Sequence, residues 1–171
     1  EAEAYIKDIQ ELGNEDLQRA VETWERSVEA GSGQAALKVA LYKQSQVFYI
    51  ANSYEIEKAF QEALDLGSYQ AAYELGKIYQ QQEADENYRG EIRSLSYFEK
   101  AYDNGYDGFD KENLFKIIEF KANSTDDKDA KIAYYLQSAK VGYVPAVDKI
   151  TELVDKINPE IEALYKELIE I

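Results

Sequence analysis

Carboxylates are the most abundant ionisable groups of this 171-residue sequence, which contains 34 Asp and Glu residues and neither histidine nor cysteine. Without those two residue types, the chain cannot form Ser-His-Asp or Cys-His nucleophilic sites, zinc sites built on their ligands, or disulfide bonds. Two facing carboxylates can hydrolyse a glycosidic bond. However, close carboxylate pairs are expected by chance at this acid content. The sequence therefore predicts a non-enzymatic protein without metal or cofactor, and a carboxylate hydrolase is the alternative.

The stretch from Asp103 to Asp110 has the oxygen-rich composition of a calcium loop. An EF-hand requires oxygen ligands at positions 1, 3, 5 and 12. Counting from Asp103, position 3 is Gly105 and position 12 is Leu114, so the pattern fails. We interpret the stretch as a turn at Gly105, in which the following aspartates cap the next helix.

A glycosylation sequon, Asn123-Ser124-Thr125, lies in a predicted loop and makes Asn123 a candidate glycosylation site in secreted material. The opening Glu1 to Tyr5 resembles the remnant of a yeast mating-factor secretion leader. We therefore predict a leader remnant at residues 1–5, a single domain at residues 6–171, and an exported protein, periplasmic or extracellular. A native start that begins the first helix, and a cytoplasmic location, are the alternatives.

Two helical stripes meet at Gly67. Apolar residues recur at helical spacing before it, from Ile56 to Leu64, and after it, from Ala71 to Tyr79. The spacing predicts a helix, a tight turn and a second helix. The same signal continues along the chain and predicts about ten helices and no strand, with the longest loop at residues 80–90.

The turn recurs at a nearly constant interval. Gly31, Gly67, Gly105 and Gly142 are separated by 36, 38 and 37 residues. An aromatic residue stands seven places before each glycine, and these are Trp24, Phe60, Phe98 and Tyr135. A small residue stands four places before each, and these are Ser27, Ala63, Ala101 and Ser138. Alanine stands four places after three of them, with Phe109 as the exception.

Small residues let two helices cross closely, and larger apolar residues fill the gaps between neighbouring hairpins. Because one hairpin cannot bury both of its sides, such repeats must stack. A helical bundle with accidental periodicity is the alternative.

The pattern resembles the Sel1-like repeat, a relative of the tetratricopeptide repeat. The second copy matches best, with Ala71, Leu75, Gly76 and Tyr79 followed by Phe98, Lys100, Ala101 and Gly105. Other copies diverge, and the one after Gly105 needs one inserted residue. The resemblance implies an all-α fold, an α-solenoid of about four to five antiparallel helix hairpins in a right-handed superhelix. It also implies an adaptor or scaffold that binds other proteins.

The net charge of −15 constrains the partners. Such a field repels nucleic acid and anionic membranes, and no apolar stretch approaches the ~18 residues needed to span a bilayer. We predict a protein or peptide partner that is basic, without nucleic-acid binding or membrane insertion. An inhibitor or immunity protein that neutralises a basic enzyme or toxin is the alternative function. The acidity can also be explained as a solvated surface that maintains solubility.

The resemblance also locates a surface, because the first helix of each tetratricopeptide-like pair lines the concave side of the superhelix. We expect its exposed positions to bind a peptide or a basic protein. Transferred to this chain, the partner-binding candidates are Leu37, Leu41, Gln44, Tyr73, Lys77, Gln81 and Glu152.

Overall fold

The computed structural model describes residues 13–46, 53–85, 90, 93–154, 159 and 163. These residues form eight α-helices and no strand, which confirms the all-α prediction. The helices are α1 (Asn14–Glu29), α2 (Gly33–Ser45), α3 (Ser53–Asp65), α4 (Tyr69–Glu83), α5 (Ser94–Asp103), α6 (Lys111–Asn123), α7 (Lys128–Lys140) and α8 (Pro145–Leu153). The predicted leader remnant, first helix and most of the last helix lie outside the described residues.

The chain divides into two compact units, residues 1–108 and residues 109–171. The first unit contains α1 to α5, and the second contains α6 to α8. Within the units, consecutive helices pack against one another as the hairpin pattern predicts. The single domain at residues 6–171 and the right-handed superhelix stay predictions.

Each of the four recurring glycines ends a helix in the same conformation. Their φ angles are positive, between +79° and +100°, in the region where only glycine is unstrained. Each glycine N–H bonds the carbonyl three residues back, and the next N–H bonds the carbonyl five residues back. This is the Schellman motif. The second carbonyl belongs in every case to the small residue of the repeat, which explains the constant spacing between the two.

The aromatic and small residues that precede Gly67 and Gly105 form part of the core of the first unit. Phe60, Phe98, Ala63 and Ala101 are fully buried. A Cβ placed on Gly76 would lie only 2.5 Å from the Phe98 ring. The glycine of the Leu75-Gly76 pair therefore allows α4 and α5 to pack in close contact. The spacing of apolar residues along the sequence therefore correctly predicts that these residues are buried.

The second unit has its own apolar core. Tyr135, Ala139, Ala146, Val147 and Ile150 are buried together, joining α7 to α8. The Asp127 side chain accepts hydrogen bonds from the Asp129 and Ala130 N–H groups at the start of α7, and Pro145 occupies the first turn of α8.

One predicted boundary was wrong. The predicted loop at residues 80–90 begins later, because α4 continues through its glutamines to Glu83. Glutamine is a good helix former, and the extension carries Glu83 to the start of α5.

Candidate functional site

Three of the predicted partner-binding residues lie in the core. Leu37, Leu41 and Tyr73 are 2%, 3% and 4% exposed, so the expectation that they are exposed was wrong. Tyr73 packs against Phe98 and Tyr106, with ring centroids 5.6 and 5.2 Å apart. The reason is that α2 packs against both α1 and α3, and α4 packs against both α3 and α5. As a result, α2 buries Leu37 and Leu41, and α4 buries six consecutive residues, 71–76.

The other predicted residues are more accessible. Gln44 is half-buried and Gln81 is exposed. Lys77 is partly exposed, but its Nζ lies 2.7 Å from Glu74 Oε2 and 5.0 Å from the Tyr73 ring centroid. Glu152 belongs to the second unit, where it is exposed and pairs with Lys149 at 3.5 Å. Binding by these positions stays a prediction.

The Asp103 to Asp110 stretch forms the predicted turn. Gly105 has a positive φ, and the Asp110 side chain caps α6 by accepting a hydrogen bond from the Asn113 N–H at 2.8 Å. Among the described residues, no group of three or more His, Cys, Asp or Glu side chains is arranged to hold a metal ion.

Asn123, the candidate glycosylation residue, is the exposed last residue of α6. It therefore stands at a helix end and not within a loop. Its Oδ1 accepts a hydrogen bond from the Tyr135 hydroxyl at 3.3 Å. Glycosylation at Asn123 stays a prediction.

A groove of about 740 Å³ runs along α3 in the first unit, and we call it the α3 groove. Its lining residues come from four helices and from the turn after α3, and they are Val28, Tyr54, Glu57, Lys58, Gln61, Glu62, Asp65, Leu66, Leu75, Tyr79 and Tyr97. Six are apolar or aromatic and five are charged or polar. A lining of this kind combines contact area with groups that can select a partner by charge.

Hydrogen bonds between helices and within α3 hold the polar side chains of the α3 groove. Glu57 accepts one hydrogen bond from the Tyr79 hydroxyl at 3.1 Å and another from Gln82 Nε2 at 2.8 Å. Gln61 accepts one from the Tyr97 hydroxyl at 3.2 Å and donates one to Asp65 at 2.7 Å. The carboxylates of Glu57 and Asp65 are therefore oriented by their neighbours.

Two tyrosines connect these hydrogen bonds. The rings of Tyr79 and Tyr97 stack with centroids 5.3 Å apart and planes inclined by 5°. The Arg93 guanidinium lies 5.7 Å from the Tyr79 ring centroid. Burial raises the pKa of Tyr79, and the adjacent Glu57 carboxylate raises it further, although a hydrogen bond with Arg93 opposes both. Tyr79 therefore remains a neutral hydrogen-bond donor to Glu57 around neutral pH.

A smaller groove of about 310 Å³ adjoins the first and shares Val28 and Glu62 with it. Together the two grooves are lined by five carboxylates and two lysines, a formal charge of −3. The carboxylates are Glu25, Glu29, Glu57, Glu62 and Asp65, and the lysines are Lys43 and Lys58. An arrangement of oriented carboxylates beside tyrosine rings can hold a cationic side chain.

Sequence reasoning missed the α3 groove because its hydrogen bonds join distant positions. Tyr79 and Glu57 are 22 residues apart, and Tyr97 and Gln61 are 36 apart. The second interval is close to the repeat period, which was the one available signal that these side chains would meet.

No family model and no curated protein matches this chain. Among solved structures, it is similar to a Sel1 repeat protein from Oxalobacter formigenes, with 14% identity and a TM-score of 0.55 over 90% of this chain and 64% of the other. It is also similar to c5321, a protective antigen present in uropathogenic Escherichia coli strains that displays an SLR fold. That match has 15% identity and a TM-score of 0.50 over 88% of this chain and 32% of the other.

At these identities the likeness shows the fold alone, and this chain spans less than two thirds of either structure. The fold is the one that the Sel1-like resemblance implied. A third structure, the immunity protein PA5088 from Pseudomonas aeruginosa, has 17% identity and a TM-score of 0.33 over 99% of this chain and 82% of the other. This score is too low to support an argument, so the inhibitor or immunity function stays a prediction. Of the helices described, none has the length and apolar character to cross a membrane.

Proposed function

Since this chain shares its fold with Sel1-like repeat proteins, we propose that it is a non-enzymatic interaction domain that binds a basic protein or peptide. Repeat folds of stacked helix hairpins present extended surfaces that suit protein partners. The fold does not specify the partner, so its chemistry must be argued from the surface itself.

The observation that carries the proposal is the acidic lining of the two grooves in the first unit, a formal charge of −3 beside exposed and half-buried tyrosines. This local charge has the same sign as the net charge of −15. A field of one sign attracts an oppositely charged partner and raises its association rate. The same field repels the phosphates of nucleic acids, which favours a basic polypeptide.

A binding experiment with defined peptides tests this function. Three pools of labelled peptides, matched in length and apolar content, would carry net charges of about +4, 0 and −4, and fluorescence anisotropy would measure their binding to the full chain. We expect the basic pool to bind most tightly and the acidic pool least. Equal binding by the three pools would contradict the proposal.

A further inference from the structure

We infer that the α3 groove binds one extended basic segment whose two cationic side chains, four residues apart, pair with Glu57 and Asp65. The inference rests on the proposed function and specifies the site and the conformation of the partner. Its first basis is the position of the two carboxylates on α3. Glu57 and Asp65 lie eight residues apart on α3 with Gln61 between them, which is about 12 Å along the helix axis.

The distance between the two carboxylates favours an extended segment. About 12 Å along α3 corresponds to four residues of an extended chain at ~3.3 Å per residue, but to eight residues of a helix at ~1.5 Å per residue. Helices this short are marginal in water. A short basic segment therefore reaches both carboxylates in an extended conformation.

The spacing of the two carboxylates sets the spacing of the cations. Side chains on one side of an extended chain recur every second residue, with a rise of about 3.3 Å per residue. Positions i and i+4 are therefore on the same side and about 13 Å apart, close to the ~12 Å between Glu57 and Asp65 along α3. Positions i and i+3 point to opposite sides, so only one of the two side chains faces the carboxylates.

Both carboxylates retain capacity to accept a cation. A carboxylate has about four acceptor positions; the bonds from Tyr79 and Gln82 use two on Glu57, and the bond from Gln61 uses one on Asp65. Because these bonds already orient the carboxylates, binding loses less side-chain entropy. Val28, Tyr54 and Leu66 in the lining provide contacts for apolar residues of the same segment.

The test compares two nine-residue peptides of identical composition, one with lysines at i and i+4 and one with lysines at i and i+3. Each is titrated against the wild-type chain, against a Glu57→Gln and Asp65→Asn double variant, and against a Glu119→Gln and Asp126→Asn double variant. The last pair is the matched control, since it removes the same charge from exposed positions in the second unit.

We expect the i and i+4 peptide to bind the wild type several-fold more tightly than the i and i+3 peptide. The groove variant should weaken binding of the first peptide by about tenfold or more, and the control by less than about twofold. A circular dichroism melt of each variant checks that it is folded.

Equal weakening by the groove and control variants, or equal binding of the two peptides, would overturn this inference and leave the proposed function standing. Failure of the wild type to bind either lysine peptide, together with no preference for the basic pool, would overturn both.

Discussion

One of the buried residues on α4, Glu74, is charged. The Glu74 side chain is 2% exposed and pairs with Lys77 at 2.7 Å, while its Oε1 has no hydrogen-bond partner among the described residues. Removing one partner of a buried ion pair leaves an uncompensated charge, which costs more than the pair itself contributes. Lys77, predicted as a binding residue, therefore has a structural role beside Glu74 and the Tyr73 ring.

Because Tyr73 is buried, its mutation tests the stability of the fold and not partner binding. Tyr73→Ala should lower the free energy of unfolding by about 3–5 kcal/mol, because it removes a large aromatic side chain from contact with Phe98 and Tyr106. Urea denaturation followed by circular dichroism gives this value. Gln81→Ala, at an exposed position of the same helix, is the control and should change stability by less than about 0.5 kcal/mol. Similar values for both variants would be inconsistent with the burial of Tyr73.

In three of the four repeats the small residue is buried, so a larger side chain there has no free space. Ala63 is 0% exposed, so Ala63→Leu should overpack the contact between helices and cost about 1–3 kcal/mol in unfolding free energy. Glu62→Leu adds the same side chain one position away on the exposed side of α3 and should have a much smaller effect. If Ala63→Leu is as stable as the wild type by chemical denaturation, the small residue is not needed for packing.

At the scale of elements, the start of α5 depends on a residue from α4. Glu83 accepts hydrogen bonds from the N–H groups of Arg93 and Ser94 and from the Ser94 hydroxyl. A carboxylate at this position satisfies free donors and interacts favourably with the helix dipole. Burial raises the pKa of Glu83, but these hydrogen bonds outweigh it and hold the pKa below its usual range.

This cap predicts a dependence of stability on pH. Because the folded-state pKa of Glu83 is lowered, its contribution is full above the unfolded pKa of about 4.3 and is lost as pH falls through the folded value. Glu83→Gln should therefore cost about 0.5–2 kcal/mol at pH 7, and the difference from wild type should shrink at pH 3.

Urea denaturation at both pH values measures this difference, with Glu119→Gln as the control because its carboxylate is exposed on α6. An equal deficit for Glu83→Gln at pH 7 and pH 3 would show that its charge does not matter to the cap.

At the scale of the whole molecule, the net charge of −15 governs association. Charges on the surface are screened over about 10 Å at 0.1 M salt and about 3 Å at 1 M. A partner attracted by this field must lose affinity as salt is added, whereas apolar contacts alone would not be weakened by screening.

We expect the affinity of the basic peptide pool to fall by about tenfold or more between 0.05 and 0.5 M sodium chloride, mostly through a slower association rate. Stopped-flow anisotropy separates the association and dissociation rates. The neutral pool is the control and should change little. A salt-independent affinity for the basic pool would instead indicate that apolar contacts dominate the binding.

The hairpins and their turns follow from the sequence, because the controlling interactions are local. At Gly67 the Schellman bonds involve residues 63 to 68, so glycine and its small partner are visible as a fixed spacing. The same holds for Asp127, which caps a helix within three residues. Helix type and hinge position follow from these short-range constraints.

Which faces of the helices are exposed depends on the tertiary packing. Leu41 and Tyr73 have the spacing expected of surface positions in a repeat, yet both are buried. The exposure of a residue depends on which helices stack against its own helix. These neighbours cannot be deduced from the local spacing of residues. The pairing of Glu57 with Tyr79 across 22 residues has the same origin. The stacking of hairpins therefore positions the α3 groove, although the sequence of each hairpin specifies its own turn.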